Sequence, residues 1–142
     1  MATTVTATDC FTVKASLSNV LKCFRRAKNM YDLTFKDSDT EKKLMHVALL
    51  SDDILDGIEI FDNLESNGML DEKYGILSED RDQLEELVKQ ARMLEEESKK
   101  QLDKFYDRYV PEVYKINQII APLSWLQDLE VMIARLEGMG IS

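Results

Sequence analysis

Histidine, cysteine and proline are scarce in this chain of 142 residues, which has one His, two Cys and two Pro. The single imidazole, His46, stands between apolar positions, and a general base needs an orienting partner that is not evident there. Cys10 and Cys23 have neither a CxxC spacing nor a nearby histidine pair, so a zinc site is not expected. Two isolated cysteines favour a reducing compartment.

Short catalytic and metal-binding motifs are absent as well. The sequence contains no GxSxG, HExxH, Walker A or GxGxxG pattern, and no Glu-x-x-His of the kind that di-iron bundles need. A calcium-binding loop opening at Asp37 would require Gly where Lys42 stands and Glu where Ala48 stands. We therefore expect a protein that is not an enzyme, with no catalytic residues, no cofactor and no metal.

Long apolar runs and positive net charge are also lacking. No stretch approaches the roughly 18 apolar residues of a membrane-spanning helix, and the start of the chain lacks the basic-then-apolar order of a secretory signal. The formal charge of −9 opposes the phosphate backbone of nucleic acids. These features predict a cytoplasmic protein for which a membrane is an improbable partner and no nucleic acid is expected.

The residues that are abundant indicate long helices. The chain is 44% hydrophobic and 32% charged, and only five glycines and two prolines interrupt it. We predict one helical domain over residues 1–142, in which residues 1–15 form an extended or frayed lead. A first helix is predicted to begin at a cap formed by Ser16, and a second at a capping box formed by Ser38 and Glu41. Apolar residues at helical spacing follow both caps.

The second helix is expected to run to about Ser66, where Asn67 and Gly68 end it. Gly57 weakens the middle of this helix unless a close helix contact requires it. A third helix is predicted from Ser78 to about Tyr109, and Pro111 should kink or break the chain.

Apolar positions resume after that proline, and a last helix begins at Pro122. The pattern predicts an all-α fold, namely an antiparallel bundle of four or five helices with one long central helical segment.

The third helix has the most regular apolar pattern of the chain, with steps of three and four residues that resemble a heptad seam. Ser98 and Gln101 interrupt this seam with polar side chains. We interpret it as a surface for weak homodimer formation, formed by Leu84, Leu87, Ala91, Leu94 and Phe105. The alternative is an internal helix of the bundle, because Pro111 allows the chain to fold back and cover the seam.

Charge is distributed unevenly over the first two helices. The first helix has a basic patch, which consists of Lys22, Arg25, Arg26 and Lys28. The second helix has an acidic patch, which consists of Asp52, Asp53, Asp56, Glu59 and Asp62. One interpretation is that the two helices are antiparallel and attract each other along their edges. The other is that the patches bind partners: a basic protein segment at the acidic patch, and an acidic protein or lipid headgroups at the basic patch.

Residues 60–71, IFDNLESNGMLD, resemble a helix end and turn of a death-effector domain. The resemblance implies a death-fold signalling module, although the Arg-x-Asp-Leu motif of that family does not follow. The long helix after Ser78 also departs from the compact six-helix arrangement of the family. The function that we expect is protein–protein interaction, as an adaptor or scaffold, with a death-fold signalling module and a peripheral membrane binder as alternatives.

Overall fold

The computed structural model describes residues 7–36, 39–106 and 122–142, and over these ranges every regular element is helical. The elements are α1 (Ala7–Lys36), α2 (Thr40–Ser66), a short 3-10 turn (Glu72–Tyr74), α3 (Ser78–Tyr106) and α4 (Leu123–Gly138). The prediction of an all-α antiparallel bundle is confirmed. The expected break at Pro111 and the helix after it lie outside the described residues.

The four helices form a closed ring of antiparallel neighbours. Helix α1 packs against α2 and α4, and α3 packs against α2 and α4. Their directions follow from side-chain pairs: Arg25 and Lys28 of α1 meet Glu137 and Glu130 of α4, so the two helices run in opposite directions. The helices thus alternate in direction around the ring.

The beginning of α1 corrects the prediction for the lead segment. The helix starts at Ala7, so residues 7–15 are helical rather than extended or frayed. Val13 explains the difference, because its side chain is completely buried in the core. Tertiary packing therefore overrides the weak helix propensity of this β-branched and Thr-rich stretch.

The start of α2 also differs in detail from the prediction. Asp39 caps this helix, since its Oδ1 accepts a hydrogen bond from the backbone N–H of Glu41 at 2.9 Å. Ser38, the predicted cap, lies outside the described residues. The predicted end is confirmed, because α2 stops at Ser66 and Gly68 adopts a left-handed conformation with φ of 64°.

The core runs along the centre of the ring and takes large side chains from all four helices. Ser98 is also completely buried there, and its hydroxyl donates to the backbone oxygen of Glu95 at 2.7 Å. The hydroxyl of Ser98, one of the two polar interruptions of the apolar seam, is therefore satisfied within its own helix. The largest buried side chains include Leu17, Leu21, Phe24, Leu50, Ile54, Phe61, Leu84, Leu87, Leu94, Trp125, Leu129 and Met132.

Candidate functional site

The outward face of α2 is a continuous exposed stripe. Its members succeed one another every three or four residues, which places them on one side of the helix. We name this set the outer stripe of α2; it consists of Met45, Leu49, Asp52, Asp56, Glu59 and Asn63. Two large apolar side chains at one end, 51% and 41% exposed, are thus followed by three carboxylates.

The predicted acidic patch divides into two groups with different environments. Asp53 and Asp62 are half-buried and tie α2 to its neighbours, through Arg26 Nε at 3.4 Å and Arg92 Nη2 at 2.5 Å. Asp52, Asp56 and Glu59 are exposed and form no ion pair within the described ranges. Three of the five predicted acids therefore form no short ion pair with a neighbouring helix within the described ranges, although the charge of Asp52 still acts on Lys99 of α3.

Asp53 is the carboxylate that the fold perturbs most clearly. Burial raises its pKa above the ordinary range for an aspartate, and the nearby Arg26 guanidinium partly offsets this increase. The negative charges of Asp56 and Asp52 raise the pKa further. The acids on this side of α2 are therefore close enough to repel one another.

Three of the four residues of the predicted basic patch form ion pairs with carboxylates of the same chain. Arg26 pairs with Asp53 of α2 at 3.4 Å, so one ion pair joins the edges of α1 and α2. Arg25 and Lys28, however, pair with α4, at 3.7 Å and 3.8 Å from carboxylate oxygens. Lys22 alone of the four residues forms no ion pair within the described ranges.

Sequence reasoning missed the acidic partners on α4. Glu130 and Glu137 are seven residues apart and therefore share one side of that helix. This spacing was a usable signal, but the bundle order that turns it toward α1 could not be read from a local pattern.

An open groove of about 430 Å³ lies between α1 and α2. Lys22 and Arg26 are on its α1 wall, and Asp56 and Glu59 are on its α2 wall. Basic and acidic side chains therefore face each other at the same level of the bundle. The remaining lining residues are Asn19, Cys23, Ile60 and Asn63.

Cys23 is a buried component of this groove. Its thiol is 3% exposed, and its Sγ accepts a hydrogen bond from Arg26 Nη2 at 3.2 Å. Burial raises the pKa of the thiol, although the Arg26 charge acts in the opposite direction. A thiol that stays protonated is a poor nucleophile, so Cys23 contributes to this groove as a small buried side chain.

The predicted self-association seam belongs to the intramolecular core. Leu84, Leu87, Ala91 and Leu94 are at most 1% exposed, so none of them is accessible to a second copy. The expectation that they form an external interface is wrong, because α2 and α4 already cover this side of α3. The side chain of Phe105, the fifth member, lies outside the described part of the chain.

Two further observations bear on the kind of site. In the described residues, no group of three His, Cys, Asp or Glu side chains is arranged to hold a metal ion. Among the same residues, no helix combines the length and the apolar character that crossing a membrane requires.

No family model, no curated protein and no solved structure matches this chain.

Proposed function

We propose that this protein is a non-catalytic interaction module of the cytoplasm, which binds a basic segment of another protein through the outer stripe of α2. The observation that carries the proposal is the set of three exposed carboxylates, Asp52, Asp56 and Glu59, that have no ion-pair partner within the described residues. The exposed Met45 and Leu49 on the same stripe supply apolar contact area. An adaptor or scaffold role requires no more than such a surface.

The physical argument is one of charge complementarity. Grouped charges of one sign raise the rate at which an oppositely charged partner arrives and disfavour partners of the same sign. The net charge of −9 extends this selection over the whole molecule. A helix that is apolar at one end and rich in Lys or Arg over its next two turns would match the order of side chains along the stripe.

The experiment is a binding titration with a synthetic amphipathic helix of that design, labelled for fluorescence anisotropy. The variant Asp52→Asn, Asp56→Asn, Glu59→Gln should weaken binding at least about tenfold, because each lost charge pair contributes to affinity. The matched control is Glu79→Gln, Asp82→Asn, Glu86→Gln on α3, which removes three exposed acids at a similar spacing. Equal losses in both triple variants would indicate nonspecific attraction to an acidic protein and would contradict the proposal.

The lipid-headgroup alternative depends on the basic patch of α1. Three of its four cations, Arg25, Arg26 and Lys28, already have carboxylate partners on α2 or α4. Membrane binding would therefore exchange these pairs for headgroup contacts. Flotation of the protein with anionic vesicles, abolished by Lys22→Glu, would favour this alternative over the protein-binding role.

The death-fold alternative rests on residues 60–71, which form the end of α2 and the turn after it. The described chain has four long antiparallel helices, whereas the resemblance implies a compact arrangement of six. The arrangement of the helices thus gives the signalling-module alternative no additional support.

A further inference from the structure

The outward faces of α1 and α2 together carry charges of both signs, and this combination makes the surface complementary to itself. Lys22 on α1 and the pair Asp56 and Glu59 on α2 line opposite walls of one groove. None of the three forms an ion pair within the described ranges. Each wall therefore offers the charge that the other wall of a second copy would require.

The apolar side chains of this face also lie at matching levels. The Arg26–Asp53 ion pair marks one level of the antiparallel α1–α2 pair. Leu33 is seven residues beyond Arg26, about 10 Å along α1, whereas Leu49 and Met45 lie about 6 Å and 12 Å from Asp53 in the same direction. All three side chains are exposed, by 37%, 41% and 51% respectively.

A two-fold rotation would bring these side chains of two copies together in one interface. An axis parallel to the two helices, passing above the groove, lays α1 of one copy over α2 of the other. Such a rotation causes no shift along the helices, so residues at one level of a chain meet residues of the same level in its partner. Lys22 would then face Asp56 and Glu59 of the second copy, and Leu33 would lie near Leu49 and Met45 of the second copy.

The size of the face is adequate for a specific contact. Helix α1 has 30 residues and α2 has 27, so the pair is about 40 Å long, and two adjacent helices are about 20 Å wide. The projected area is on the order of 800 Å² per copy, which is close to that of a standard protein interface. Because much of this area is polar, the association should be weak.

We propose that two copies of this chain associate through their α1–α2 faces, with α1 of each copy lying across α2 of the other. This dimer does not use the α3 seam, which is buried. It also goes beyond the binding of a basic partner, because its test needs only the purified chain and would stand if no basic peptide were bound.

The test uses two charge-reversal variants, Lys22→Glu and Glu59→Lys. Their self-association is measured by sedimentation equilibrium at chain concentrations from about 10 µM to about 1 mM, which cover the range of weak association. Each variant alone places like charges opposite each other in the pair formed by positions 22 and 59, at both symmetric contacts, while Asp56 is unchanged. Each should therefore dimerise at least about tenfold more weakly than the unmodified chain. An equimolar mixture restores both opposite-charge pairs between positions 22 and 59 of unlike chains and should associate at least about threefold more strongly than either variant alone.

The mixture is informative because pairs within one chain cannot produce a rescue that requires two different chains. The matched control is Lys89→Glu and Glu96→Lys, which makes the same charge changes at exposed positions of α3 and should leave association unchanged. Asp56→Lys replaces Glu59→Lys if the latter does not retain the helical circular dichroism spectrum. A monomeric mass for the unmodified chain throughout, single reversals without effect, or a mixture no more associated than its components would each overturn the proposal.

Discussion

Trp125 of α4 donates a hydrogen bond from its indole Nε1–H to Glu97 Oε2 of α3, at 2.9 Å. The indole is 1% exposed, so without this acceptor a buried donor would be unsatisfied. About two turns away on α3 and one turn away on α4, the Gln90 side-chain amide donates to Asp128 Oδ1 at 3.0 Å. Two polar contacts at the edge of the core thus set the level of α4 against α3.

Replacing Glu97 by Ala should reduce the free energy of unfolding by about 1–2 kcal/mol, because it leaves the indole N–H of Trp125 without its acceptor. Glu97→Gln retains a carbonyl oxygen at the same position and should lose clearly less. Trp125 is the single tryptophan, so urea unfolding followed by its fluorescence measures both variants. Equal losses for Ala and Gln would show that the hydrogen bond contributes little to stability.

Gly57 is required by the close approach of α1 and α2. A Cβ at this position would lie 3.0 Å from Phe24 Cε1 and 3.5 Å from Cys23 Cβ, which confirms the helix contact expected there. Gly57→Val should therefore destabilise the fold by about 1–3 kcal/mol through overpacking against a buried ring. Gly138→Ala is the control, because nothing lies within 4 Å of its added Cβ, and it should leave the melting temperature equal or raise it slightly.

Leu87→Asp places a carboxylate in the core and should lower the free energy of unfolding by several kcal/mol, since a buried charge without a partner is strongly unfavourable. Met93→Asp, on the same helix but at a position that is 60% exposed, should change it by less than about 0.5 kcal/mol. Thermal melts by circular dichroism provide the comparison. Two variants of equal stability would mean that Leu87 faces water.

The buried thiol of Cys23 predicts a specific dependence of stability on pH. Burial raises the pKa of this thiol, so the folded chain retains the thiol proton more strongly than the unfolded chain does. In the unfolded chain a thiol ionises at about pH 8.5. Its contribution to stability is thus complete below about pH 8.5 and is lost as the pH rises through the folded-state pKa. Cys23→Ala should flatten the decline in unfolding free energy between pH 8 and 10, values that bracket the ordinary thiol pKa.

Cys10→Ala is the matched control for this measurement, because Cys10 is half-buried near the start of the same helix, whereas Cys23 is buried near its middle. Tyr31 also has a raised pKa, but its ordinary ionisation lies near about pH 10 and would affect both variants alike. The idea fails if Cys23→Ala and Cys10→Ala decline with the same slope.

Local pattern was sufficient for the helices themselves. Apolar spacing, the Asn67–Gly68 stop and the scarcity of proline and glycine determine that α2 and α3 form and where α2 ends, because these signals act within one or two turns of the chain. Residues 7–15 are the exception. Their helix depends on a place for Val13 in the core, which no local propensity contains.

The amino-acid sequence alone therefore determined the fold class, the helix faces and the uneven distribution of charge. Only the tertiary structure decided which neighbour each face meets: it buried the Leu84–Leu94 seam, turned Arg25 and Lys28 toward α4, and left Lys22, Asp56 and Glu59 exposed on a common groove. The physical reason is that an amphipathic pattern specifies that a face is buried but does not specify the covering partner. The order of the helices around the ring determines which helix covers each face.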